Sequence, residues 1–137
     1  MPATTMALIN ATPRDYPSVA LAGGKVRSFI ERFTLASDAV GPYEIGILPA
    51  GARFLYGVLT SSVSLGTSTV AIGVTGTTGK YRAAATFTAV DTPTPFGNAA
   101  AVGAEGSAEE RVLLSVATAA LPASGTLVIE LFYSQAN

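Results

Sequence analysis

The segment AIGVTGTTGKYRAAATF, residues 71–87, sets Gly79-Lys80 in a run of glycines and threonines. These are the residue types of a phosphate-binding loop. Such a loop needs Gly, four residues, then Gly-Lys and a hydroxyl, between a strand and a helix. Counting back from Gly79 puts Val74 at the first glycine position, with Gly73 one residue early. Tyr81 stands where the magnesium-binding Ser or Thr belongs. The spacing argues against nucleotide chemistry. TGTTG, residues 75–79, reads instead as a hairpin loop whose glycines take positive φ at little cost.

Other catalytic chemistries find little support. The chain has no Cys and no His, which removes thiolates, disulfides, the commonest metal ligand and the usual general base near neutral pH. Serines have no histidine to activate them. Nine carboxylates remain. A glycosidase needs two of them facing across a cleft, and only Glu130 lies in a strongly patterned strand with apolar flanks. A structural ion pair with an Arg is the expectation for it. Asp38, Asp91 and Glu105 sit in turn-like stretches without the spaced Asp-x-Asp of a calcium loop. No catalytic, cofactor or metal residues are assigned.

Net charge is −1, and the eight basic residues are scattered, so nothing favours a nucleic-acid backbone. Charged residues make up 12% of the chain, about half the usual share for a soluble domain. A surface this low in charge needs another route to solubility, and assembly is one. MPATTMALINATPRDYP lacks the basic and apolar regions of a secretory signal. No run approaches the length of a membrane span.

The elements that must position these residues read as strands. Residues 1–24 hold three prolines and end in Gly-Gly; they read as an extended N-terminal arm or as a loose tail. Met6, Leu8, Ile9, Tyr16, Val19 and Leu21 are more apolar surface than a solvated tail carries. In VRSFIERFTL, Phe29, Phe33 and Leu35 recur at even spacing, although Phe29, Ile30 and Phe33 also fit a helix. YEIGIL alternates Tyr43, Ile45 and Ile47. Gly57, in mid-strand, signals a bulge or a close backbone approach. STVAIGV places Val70, Ile72 and Val74 on one face, and ERVLLSVA does the same with Val112, Leu114 and Val116. TLVIELFYS puts Leu127, Ile129, Leu131 and Tyr133 inward and Val128, Glu130 and Phe132 on the other side. Apolar groups on both faces mark this strand as central or in contact with a partner. About seven or eight strands, joined by Gly/Pro/Ser/Thr turns, predict a single all-β domain over 25–137, a β-sandwich of jelly-roll-like type. The connection over 89–110 is longer than compact domains usually contain.

ILPAGARFLYGVLTSSVSLGTSTVAIGVTGTTGKYRAAATFTAVDTPTPFG, followed by LPASGTLVIELFYS, resembles small virion structural proteins of tailed bacteriophages. Capsid decoration, or cement, proteins are the nearest functional type. The resemblance covers residues 45–134 and rests on turn and strand signatures. It implies a compact β-domain, often a homotrimer, without cofactor and without enzymatic activity. Such a protein sits on the outer capsid surface of the virion, is made in the host cytoplasm, and clamps neighbouring major capsid protein subunits. Extended arms that add a strand to a neighbour's sheet would suit residues 1–24.

Five residues are candidates for a partner interface. Arg14 and Tyr16 lie in the arm. Tyr81 and Arg82 offer residue types enriched at interface anchors, or are ordinary strand-face decoration. Phe96 either caps its own core or enters a partner. Rival assignments are another phage part, such as a head fibre base, tail tube or tail-tip component, and a carbohydrate-binding β-sandwich. The absence of Trp counts against the last.

Overall fold

The computed structural model describes residues 25–135. Eight strands make up the described chain: β1 (Lys25–Thr34), β2 (Gly41–Leu48), β3 (Arg53–Ser61), β4 (Thr69–Val74), β5 (Thr77–Thr86), β6 (Thr94–Phe96), β7 (Glu110–Ala117) and β8 (Thr126–Gln135). They form two four-stranded antiparallel sheets, ordered β1-β8-β3-β6 and β2-β7-β4-β5. The β4–β5 hairpin stays within its sheet; every other connection crosses to the opposite sheet. The result is an all-β sandwich, with the first and last described strands paired along their whole length.

Period-2 patterning builds the core. Val70 and Ile72 of β4, Val112, Leu114 and Val116 of β7, and Leu127, Ile129 and Leu131 of β8 all point inward and are buried. Sheets pack about 10 Å apart when such faces interdigitate. β8 lies between β1 and β3, the first of the two readings its apolar faces allow. The helical alternative for residues 25–34 does not form. Ten ladder pairs with β8 hold them as strand, and Ile30, which a helix would have buried beside Phe33, stands 56% exposed.

Bulges reset which residues face the core. In β3 the register slips between Phe54 and Tyr56, so Phe54 is inward and, past the bulge, Gly57, Leu59 and Ser61 are inward too. In β2 a slip between Glu44 and Gly46 keeps Tyr43 and Ile45 on the core side but turns Ile47 out and Leu48 in. The uninterrupted alternation expected for Ile47 therefore fails, because one extra residue at Ile45 inverts the parity beyond it. Two glycines make room for rings from the facing or neighbouring strand. A Cβ on Gly57 would overlap the Phe96 ring, and one on Gly46 would overlap the Phe29 ring.

Candidate assembly interface

The hairpin that opened the question is tight. Val74 pairs with Thr77, leaving Thr75-Gly76 as the two-residue turn, with Gly76 at φ 87°. Ile72 pairs with Arg82, so β5 carries extra residues opposite β4 at this end. The bulged segment folds close over Gly73, where a Cβ would meet the carbonyl oxygens of Thr77 and Thr78. The glycines serve backbone approach and turn geometry, and Lys80 has a protein partner in place of a phosphate.

That partner is Glu110. Its parity with Val112, Leu114 and Val116 turns it inward at the start of β7. Lys80 Nζ donates to Glu110 Oε2, and the Tyr81 hydroxyl donates to Glu110 Oε1 at 2.5 Å. Burial alone would raise the Glu110 carboxyl; hydrogen bonds from Lys80 and Tyr81 and the Lys80 charge outweigh it and hold the group below its ordinary range. The Tyr81 phenol is driven far up, first by burial and then by its bond to a carboxylate and that carboxylate's charge. The ring lies 4.5 Å from Phe54, centroid to centroid.

The connection between β6 and β7, residues 97–109, is strapped over this end of the sandwich. The Asn98 side-chain amide donates to the Gly79 and Lys80 carbonyls at 2.7 and 3.2 Å. Gly103 N donates to Phe54 O at 2.7 Å, and Gly106 N to Ala52 O at 3.0 Å. Arg53 donates from Nη1 to Gly103 O and from Nη2 to Glu105 Oε1, both at 2.9 Å. A cleft of about 70 Å³ remains beneath, lined by Leu48, Phe54, Tyr81, Ala101 and Glu110 among others. It has room for a few waters. Its two carboxylates, Glu105 and Glu110, are each neutralised by a cation of this chain.

The predicted interface residues fall in different places. Tyr81 is 2% exposed, so its ring and hydroxyl serve the core of its own chain; as a surface anchor for a partner it is inaccessible. Phe96 stacks on Phe54 with centroids 6.4 Å apart and lies against Gly57. Of its two readings the fold takes the one in which it caps its own core, because β6 pairs Phe96 directly with Gly57. Arg82 lies on β5, an edge strand, and donates to Val70 O at 2.5 Å; its guanidinium carbon sits 5.9 Å from the Phe87 ring centroid. Burial lowers its affinity for the proton, and it holds β4 to β5. Arg14 and Tyr16 lie outside the described residues. Sequence reasoning missed the Lys80–Tyr81–Glu110 group and Asn98. The inward parity of ERVLLSVA was the available signal for Glu110; the partners are 29 and 30 residues away, and no local pattern joins them.

The outward face of the β1 sheet carries apolar side chains at the surface. Val26, Ile30 and Tyr56 are 64%, 56% and 45% exposed, and Tyr56 stacks on Phe132 with centroids 4.6 Å apart. Glu130 stands between Ile30 and Val58 in the ladder. The ion pairs among the described residues are Arg53–Glu105, Lys80–Glu110 and Arg111–Glu44; the expected pairing of Glu130 with an Arg is not one of them. Among the described residues no three His, Cys, Asp or Glu side chains cluster, and no helix is long and apolar enough to cross a membrane.

The geometry defines an all-β sandwich whose Lys80–Tyr81–Glu110 group and Asn98 bind its own strands and strap, and which exposes apolar side chains on the outward face of the β1 sheet. Solved structures of phage capsids contain chains with this fold. A chain of the cyanophage Pam1 capsid asymmetric unit matches with a TM-score of 0.65 at 21% identity, covering 98% of this chain and 99% of that one. A chain from the capsid of Ralstonia phage GP4 matches with a TM-score of 0.62 at 22% identity, covering 90% and 91%. A third, from the acidic stable capsid structure of Helicobacter pylori bacteriophage KHP30, matches with a TM-score of 0.63 at 16% identity over 82% and 89%. No family model matches the chain, and no curated protein matches it.

Proposed function

We propose that this chain is a capsid decoration protein of a tailed bacteriophage, a non-catalytic cement that binds the outer surface of the assembled head. The observation that carries the reading is the end-to-end likeness to a chain of a phage capsid asymmetric unit: nearly all of each chain is matched, so the likeness takes in the whole described sandwich. The composition fits. Low charge and small side chains suit close packing on a neighbour. The partner is the major capsid protein, and the chain acts as a homotrimer located on the virion. A ligand that binds the assembled shell and not the free subunits stabilises the shell by mass action. Many copies per shell multiply the effect.

The test is co-sedimentation of the purified chain with expanded shells and, separately, with free major capsid protein. Pelleting with shells alone, together with a higher shell melting temperature, supports the proposal. Binding to neither rejects it. Self-assembly into rings or tubes transfers the chain to the tail, and retention on polysaccharide resin transfers it to sugar binding.

A further inference from the structure

The outward face of the β1 sheet is built like one half of a contact. Its apolar members are Val26, Ile30, Tyr56, Val58, Val128 and Phe132, with Glu130 among them. Exposed patches of this kind on a soluble chain mark an interaction surface. Arg32, one ladder row from Glu130 on β1, is the nearest cation in the register, and the two are not ion-paired.

We propose that residues 1–24 of the same chain cover this face, with Arg14 meeting Glu130. Three observations support it. First, the segment's chemistry complements the patch. Arg14 is its only basic residue, with Met6, Leu8 and Ile9 before it and Tyr16, Val19 and Leu21 after it. Asp15 is its one acidic residue, in an otherwise largely apolar stretch, and Glu130 is an anion with no ion pair among the described residues on a largely apolar face. Secondly, the segment is delivered to the correct place. It joins β1 at Lys25, the edge of this sheet, beside the Val26–Ser134 row. Thirdly, it is long enough. Twenty-four residues reach up to about 80 Å when extended, whereas four strands span about 14 Å from first to last. The 11 residues from Arg14 to Lys25 extend about 36 Å, and Glu130 pairs with Ile30, five residues into β1, about 17 Å from Lys25. Arg14 therefore reaches Glu130 after one reversal of direction, for which Gly23-Gly24 provides the backbone freedom. Covalent attachment gives the segment an effective concentration in the millimolar range, which favours its own sheet over that of another copy. This inference does not depend on the shell-binding proposal.

The chain has no cysteine, so single labels are clean. A nitroxide is attached through Thr60→Cys, on the outward side of β3, or through Ser115→Cys, on the outward side of the β2 sheet, in the full chain. Amide signals of residues 1–24 are then followed by NMR. The expected result is loss of most of their intensity with the Thr60 label and little change with the Ser115 label. Arg14→Glu should reduce the loss, and Arg14→Glu with Glu130→Arg should restore it. A mixture of isotope-labelled chain with excess unlabelled nitroxide-bearing chain should show no loss. No broadening from Thr60, equal broadening from both labels, or broadening in the mixture would overturn the proposal; the last would give the face to a neighbouring copy. These readouts use the free chain, so failure to bind shells leaves them unaffected.

Discussion

At the residue scale, the Glu110 carboxylate is the most consequential polar group described. It accepts from Lys80 and Tyr81 at the inner end of β7, and its proton affinity is held low by them. A carboxyl with a depressed folded value contributes stability above its unfolded value, near 4.3, and loses it as pH falls through the folded value. Glu110→Gln should therefore lower stability at pH 7 by about 2 kcal/mol. The gap should close on acidification, as the wild type loses its own carboxylate. Thermal melts of both chains from pH 7 down to pH 3 read this directly, and a constant offset across the range would refute it. Phe96 acts through packing. Phe96→Ala should cost about 3 kcal/mol or more, because it removes a ring buried against Phe54 and Gly57. Denaturant unfolding measures that cost. A loss below 1 kcal/mol would mean the ring is not part of the core.

At the scale of elements, bulges and glycines decide how strands present their side chains. Gly57 lies directly opposite Phe96 in the β3–β6 ladder, and a methyl group there would occupy the ring's space. Gly57→Ala should destabilise by roughly 1–3 kcal/mol through overpacking. Adding Phe96→Leu should recover part of that loss, because the shorter side chain vacates the contested volume. A double variant no better than the sum of the singles would place the damage elsewhere. Gly73→Ala is the harsher case. Its methyl group meets the backbone oxygens of Thr77 and Thr78, and backbone cannot swing aside as a ring can. We expect loss of the β4–β5 register, seen as faster amide exchange across Thr69–Thr86 than in Gly57→Ala.

At the scale of the whole molecule, the sandwich has one apolar outer face and a strapped end, and its proposed role is to hold other subunits together. If it acts as a homotrimer, light scattering behind a sizing column should return about three times the chain's 13.8 kDa. A monomer at micromolar concentration that also fails to trimerise on shells would remove the trimeric reading. Ile30 and Tyr56 lie on the exposed face, and replacing them with Ser should leave the fold intact, since neither belongs to the buried core. Far-UV circular dichroism checks that expectation.

Much of this protein is written in short-range pattern. The all-β class and the inward faces of β4, β7 and β8 follow from period-2 alternation, because a strand buries every second residue whatever its partners; for β8 and for Gly57 the pattern narrows the choice to two readings each, a central place or a partner contact, a bulge or a close approach. The same logic failed at Ile47, where a bulge two positions earlier, at Ile45, reversed the face, and a bulge leaves no mark in hydrophobicity. It left Phe96 undecided and set Tyr81 among surface candidates, since the burial of both depends on strands and straps distant in sequence. Only the tertiary structure joined Lys80, Tyr81 and Glu110, and only the tertiary structure showed that the outer apolar residues of β1, β3 and β8 form one face. Alternation is a property of a single strand. Which strands lie side by side is set by packing over the whole chain, and no local window contains it.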